Sequence, residues 1–196
     1  MNEQPGTSLS NTRPANDEGE AREMRGDRMD RQQLIGLLNE LGEKLAADEV
    51  LGELFVVGGA AMALAYDARR LTSDVDGVFE PKSVVYEAAQ RVAAEHPEIS
   101  ENWLNDAVKG FLPGEDAGPQ LILEVPGLRV SVPSTEYLLA TKVLASRIDR
   151  DDDDIRFLAA FLGLTTADQV LDVVARFYSS ERIEAKVQFY IQSLFQ

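Results

Sequence analysis

Apolar residues recur along this chain with two different periods, and each change of period marks a new element. Leu34, Leu37, Leu38, Leu41 and Leu45 fall at helical spacing, which predicts an amphipathic helix from about Asp30, packed on the strand that follows. Leu54 to Val57 is a short apolar run, β-branched at its end, and reads as a buried strand closed by Gly58 and Gly59. Ala60 to Tyr66 is small, apolar and rich in helix formers, so the glycine pair marks a strand-to-helix corner. A second strand is expected from Leu71 to Phe79. Pro81 then starts a helix to about Glu95, with Val84, Val85, Ala88, Val92 and Ala93 inward. His96 follows it and is given no role.

The later part of the chain is read in the same way. Asn102 to Pro113 suggests a short helix with Trp103 as a core anchor, and Gln120 to Val132 reads as two strands broken at Pro126-Gly127. Ser134 is the expected N-cap of a helix that turns Leu138, Leu139, Val143 and Leu144 inward. Ile155 to Leu162 continues the helix headed by the run Asp151 to Asp154, and Gly163 ends it. Thr165 with Asp168 resembles a capping box for a helix to about Tyr178. A last helix after Ser180 buries Ile183, Val187, Tyr190, Ile191 and Leu194.

Composition narrows the functional classes. With 196 residues, 44% of them hydrophobic, the chain can bury a real core, and without cysteine it has neither disulfides nor thiolate metal ligands. No apolar run approaches a membrane span and no signal-peptide pattern opens the sequence, so a soluble, cytoplasmic protein without a membrane partner is expected. Residues 1–28 are polar, with few large apolar side chains, and read as a disordered tail; Met29 is an alternative start. The net charge of −15 opposes a nucleic-acid partner, although part of it lies in the tail and in residues 151–154.

The chemistry concentrates between Leu54 and Phe79. Backbone amides at a glycine corner favour a phosphate, because unpaired N–H groups and the helix dipole both attract an anion. On a strand, Arg70, Thr72, Asp74 and Asp76 would share one face, and Leu71, Ser73 and Val75 the other. Carboxylates two residues apart on a strand have Cα atoms about 6 to 7 Å apart, close enough to share a divalent ion. By itself Asp-x-Asp is more often a solvated turn. A glycine corner, a helix and then Arg-x-Thr-x-Asp-x-Asp together resemble the signature of the polymerase-β-like nucleotidyltransferase superfamily.

Within that superfamily the chain is most similar to the toxin nucleotidyltransferases of bacterial type IV toxin–antitoxin systems, the AbiEii and MenT group, over about Leu34 to Phe195. The resemblance implies an α/β (α+β) protein. A small mixed sheet forms a nucleotidyltransferase core over residues 29–132, with a helical C-terminal lobe over 133–196. It implies a nucleoside triphosphate substrate, CTP favoured, with Mg²⁺ or Mn²⁺ held by Asp74 and Asp76, and transfer to the 3′ end of tRNA that stops translation. Gly58, Gly59, Arg70 and Thr72 would contact the nucleotide. The pattern of a helical Lys, then Arg, then RIDRDDDDIRFL carries three further roles over: Lys142 on the triphosphate, Arg147 on the nucleotide, and Asp154 as the residue that fixes a cation.

Superfamily members often have a third carboxylate on a later strand, for which Glu124 is the candidate, with an edge carboxylate facing water as the equal alternative. The resemblance also implies a cognate antitoxin, in some members a kinase. Thr72 matches the modified position better than Ser73, whose side chain is expected to point away from Asp74. Two other classes stay open: a non-catalytic fold that binds a nucleotide or a protein, and a transferase acting on a small molecule or a protein hydroxyl.

Overall fold

The computed structural model describes residues 28–66, 70–145 and 151–196. Helix α1 (Arg31–Ala47) starts where expected because Asp30 and Gln33 form a capping box, and Leu34, Leu37, Leu38, Leu41 and Leu45 are all buried. It packs chiefly on helix α3 (Lys82–Glu95) and strand β5 (Leu128–Val132) rather than along the first strand. Gly42 permits that approach: a Cβ there would stand 2.7 Å from Val125 and 2.9 Å from the Pro126 carbonyl.

The chain is α/β, with seven α-helices among the described residues and a five-stranded mixed sheet in the order β3 (Leu104–Asn105), β2 (Val75–Glu80), β1 (Gly52–Val56), β5, β4 (Gln120–Val125). Strand β1 (Gly52–Val56) is central, antiparallel to β2 (Val75–Glu80) and parallel to β5. The second strand was expected from Leu71 but starts at Val75. Register explains the difference: Val56 pairs with Gly77 and Val57 N donates to Asp76 O, so residues 71–74 run past the end of β1 and have no ladder to join. Thr72 instead makes an isolated bridge to Met29, donating to and accepting from it at 3.0 and 2.6 Å. Met29 is therefore part of the buried core. The expected tail lies outside the described residues except for Arg28, which is exposed.

The segment expected to form a helix over Asn102–Pro113 instead supplies strand β3 (Leu104–Asn105), parallel to β2, and a 3₁₀ turn, Ala107–Gly110. The outer edge of β2 accounts for this, because Val75 N finds its acceptor in the Trp103 carbonyl at 2.6 Å. Trp103 is the anchor foreseen: it is fully buried, and its indole donates to the Ala89 carbonyl at 3.0 Å. Strands β4 (Gln120–Val125) and β5 form a hairpin around Pro126-Gly127.

Four helices follow: α4 (Thr135–Ala145), α5 (Asp152–Phe161), α6 (Ala167–Phe177) and α7 (Ala185–Leu194). Ser134 Oγ accepts from Tyr137 N at 3.3 Å, the expected cap. The next cap falls one residue later than expected, at Thr166 with Gln169, because the longer amide reaches back to the Thr165 and Thr166 N–H groups where Asp168 would fall short. A 3₁₀ turn, Ser180–Arg182, intervenes before α7. Leu138, Leu139 and Val143 on α4 are fully buried and belong to one apolar cluster with the sheet. Edge-to-face contacts run from Phe55 on β1 through Tyr137 to Phe177 on α6. Among the described residues no helix is long and apolar enough to cross a membrane.

Two measurements check this packing. Gly127 and Gly163 both have positive φ, but a Cβ at Gly127 would lie 2.3 Å from the Gly42 carbonyl whereas Gly163 faces open space. Gly163→Ala should cost about 1 kcal/mol, the conformational penalty alone, and Gly127→Ala about 3 kcal/mol or more in urea unfolding. His96 bonds Glu40 at 2.7 Å and Glu98 at 3.1 Å, and these bonds, Glu40 first, raise its pKa. Its contribution is thus complete below about pH 6.5 and is lost as pH rises through the raised folded value. His96→Gln should remove that part of the pH dependence of stability.

Candidate active site

The glycine corner and the acidic segment meet at the C-terminal end of β1. Gly58 has φ +65°, which turns the chain out of the strand, and Gly58–Ala61 forms the first turn of helix α2, continued as a π-helix over Met62–Tyr66. Val57 stands at the N-cap, and no side chain caps the turn. Both glycines face the returning chain. A Cβ on Gly58 would lie 3.4 Å from Asp76 Oδ2, and one on Gly59 would lie 2.9 Å from Thr72 Oγ1. Any larger residue at Gly59 would push the two limbs apart.

The expected alternation of side chains does not hold before β2. Thr72 is 8% exposed and its hydroxyl donates to the Asp74 carbonyl at 3.0 Å. Ser73 is exposed, and its hydroxyl donates to Asp74 Oδ1 at 3.4 Å. The expectation that Ser73 points away from Asp74 is therefore wrong. The preference for Thr72 as the modified residue loses its geometric basis, since its hydroxyl is turned inward. The reason is the one already met: residues 71–74 have no strand partner, so strand periodicity does not govern them.

A second group of charges adjoins this segment through Arg70. Asp154, on the first turn of α5, is 5% exposed and accepts an ion pair from Arg70 on Oδ1 and from Lys142 of α4 on Oδ2, the latter at 2.8 Å. Lys142 also bonds Asp151 Oδ1 at 2.9 Å. Of the four consecutive aspartates the resemblance gives a role to Asp154 alone. Instead Asp151 shares Lys142, and Asp152 accepts from the Tyr190 hydroxyl of α7, while Asp153 is exposed. The signal for Asp151 is its spacing: it precedes Asp154 by three residues, so both reach one helix face. Arg147 lies outside the described residues.

Glu124 takes no part in this cluster. It is exposed on β4, the outer strand, and accepts from Arg129 Nε at 2.8 Å. Glu124 pairs with Arg129, which is aligned with Glu53 near the start of β1, at the opposite end of the sheet from the glycine corner. The strand carries it to the wrong end, and the edge-carboxylate reading is the correct one.

Among the described residues no group of three or more acidic or histidine side chains is gathered around one point. Mg²⁺ does not require one, because it is commonly held by one or two carboxylates together with substrate phosphates and water. The residues present fit such an ion by their chemistry: Asp76 Oδ2 would stand 3.4 Å from a Cβ at Gly58, so a carboxylate oxygen lies against the glycine corner, with Asp74 two residues before it.

No protein-family model and no curated protein matches the chain. Among solved structures it is similar to an antigenic nucleotidyltransferase-like protein from Paracoccidioides brasiliensis, with 15% sequence identity and a TM-score of 0.43, covering 83% of this chain and 95% of that one.

The buried ion cluster makes a stability prediction. Asp154→Asn leaves two cations against a neutral amide in a site with little solvent and should cost about 3 kcal/mol. Asp151→Asn, which leaves Lys142 its other carboxylate, should cost about 1 kcal/mol or less. Urea unfolding of the two variants in parallel checks the ranking, and equal costs would contradict it.

Proposed function

We propose that the protein is a nucleotidyltransferase that moves nucleotides from a nucleoside triphosphate, CTP preferred, to the 3′ end of tRNA. In this reading it acts as the toxin of a type IV toxin–antitoxin pair, in the cytoplasm, with a cognate antitoxin as partner. One observation supports the reading above all: the glycine corner, Asp76 and Thr72 stand in direct apposition, with Asp74 beside them and the Asp154–Lys142 pair tied to the same segment through Arg70. A triphosphate needs amides and cations, and a metal needs carboxylates; each type is present here.

In the reaction the RNA 3′-hydroxyl oxygen attacks the α-phosphorus and gives up its proton to water, the bond to the α–β bridging oxygen breaks, and pyrophosphate leaves. The first-turn amides at Gly58 and Gly59 bind phosphate oxygens, and the Arg70 and Lys142 cations stabilise the charge that develops on the leaving group. Asp154 holds those two cations in place from a buried position. Asp74 and Asp76 would hold Mg²⁺, or Mn²⁺, which when bound there supplies charge neutralisation on the phosphates.

The net charge of −15 favours a second reading, transfer to a small molecule or a protein hydroxyl, because an acidic field repels a polyanion. Incubation of the protein with each labelled nucleoside triphosphate and Mg²⁺, with and without bulk tRNA, separates the two. Label is expected in RNA only when tRNA is present; label on protein or on a small product without RNA supports the second reading. Folded Asp74→Ala should lose activity by about a thousandfold, equivalent to about 4 kcal/mol of transition-state stabilisation. Extension of tRNA at the wild-type rate by that variant would exclude the assigned role. A protein that binds nucleotide but incorporates none would be the non-catalytic alternative.

A further inference from the structure

An aromatic surface next to the ion cluster is used by none of the chemistry above. Phe157 and Phe161 lie on α5, three and seven residues after Asp154, so the three side chains follow one stripe that runs from the buried carboxylate outward. The two rings are stacked, with centroids 6.4 Å apart and planes inclined by 21°, and they are 37% and 64% exposed. Tyr66, at the end of the π-helix that begins behind the glycine corner, meets Phe161 edge-on at 5.6 Å. Its hydroxyl lies 3.1 Å from Thr135 Oγ1, which fixes the ring. Arg31 Nε donates to the Leu64 carbonyl at 3.0 Å and sets a guanidinium on the same π-helix.

We propose that Phe157 and Phe161, continued by Tyr66, form a stacking ledge for the unpaired bases at the 3′ end of the acceptor RNA. This rests on the nucleotidyltransferase reading and names how its acceptor is held. The ledge starts one helical turn from Asp154 and extends about 6 Å along α5, so a strand lying on it along the helix axis leads toward the charged cluster. The acidity of the chain is the second argument. With a net charge of −15, affinity for RNA cannot rest mainly on phosphate contacts, whereas stacking on a ring face needs few cations and tolerates any base. Arg31, held on the π-helix two residues before Tyr66, supplies a positive charge at that end of the ledge, complementary to a phosphate of a single strand.

The test uses the full chain and a fluorescein-labelled RNA hairpin ending in several unpaired nucleotides, followed by anisotropy at two salt concentrations. Phe157→Ala/Phe161→Ala should weaken binding about tenfold or more, the scale of one or two lost stacks. Phe161→Trp, which keeps a ring, should bind like wild type, and the salt dependence should be shallow in all three proteins. In the transfer assay the loss should appear in the KM for RNA and not in that for the nucleotide. Equal affinity of the alanine variant and wild type overturns the proposal, as does a wild type that binds no RNA end, even one that retains a protein through these rings. A loss confined to the nucleotide KM overturns it too. Weakened RNA binding in the alanine variant, with a wild type that transfers no nucleotide, supports the ledge and counts only against the proposed reaction.

Discussion

One buried carboxylate, Asp154, joins the charged parts of this molecule. It draws Lys142 from α4 and Arg70 from the segment leading into β2 onto its two oxygens, at a place with almost no exposure. Removing these charges from water is costly, and pairing on both sides roughly offsets that cost rather than exceeding it. The gain is in orientation. Arg70 lies four residues before Asp74, so anchoring Arg70 fixes where the acidic segment begins its return to the sheet. Lys142 is carried by a helix whose Leu138, Leu139 and Val143 are locked in the core, and its ammonium group is held from both ends.

The end of β1 sets the other half of the geometry. The strand stops at Val56, and beyond it the chain must both turn into α2 and leave room for residues 72–76 to pass close by. Gly58 meets the first need with its positive φ and Gly59 the second by having no side chain toward Thr72. The glycine corner and the acidic segment are thereby brought together at the C-terminal end of the central strand. The overall acidity matters less there than the local order of charges, since interactions between exposed charges fade beyond about 10 Å in moderate salt.

Much of this was legible in the residues because it depends on local rules. The leucines of α1, the hairpin at Pro126-Gly127 and the inward face of α4 follow periods that hold wherever one face is buried. Glycine at the corner is likewise a local requirement. The errors share a cause. The strand from Leu71 and the helix over Asn102–Pro113 each assumed that a segment's own pattern decides its partners, and for Glu124 the same pattern left two roles equally open. Residues 71–74 had no strand left to pair with, β3 formed because β2 had an open edge, and Glu124 was carried to the far end of the sheet.

Side-chain chemistry and the order of elements are thus written in the one-dimensional pattern: which residues turn inward, where the chain bends, which stretch carries the acids. Partnership is not. That Asp154 rather than a neighbour becomes buried, that Asp151 joins it on Lys142, and that Thr72 turns in while Ser73 stays out depend on register, strand length and helix docking. Those are properties of surfaces meeting across long sequence separations, where a shift of one residue exchanges the inner for the outer face.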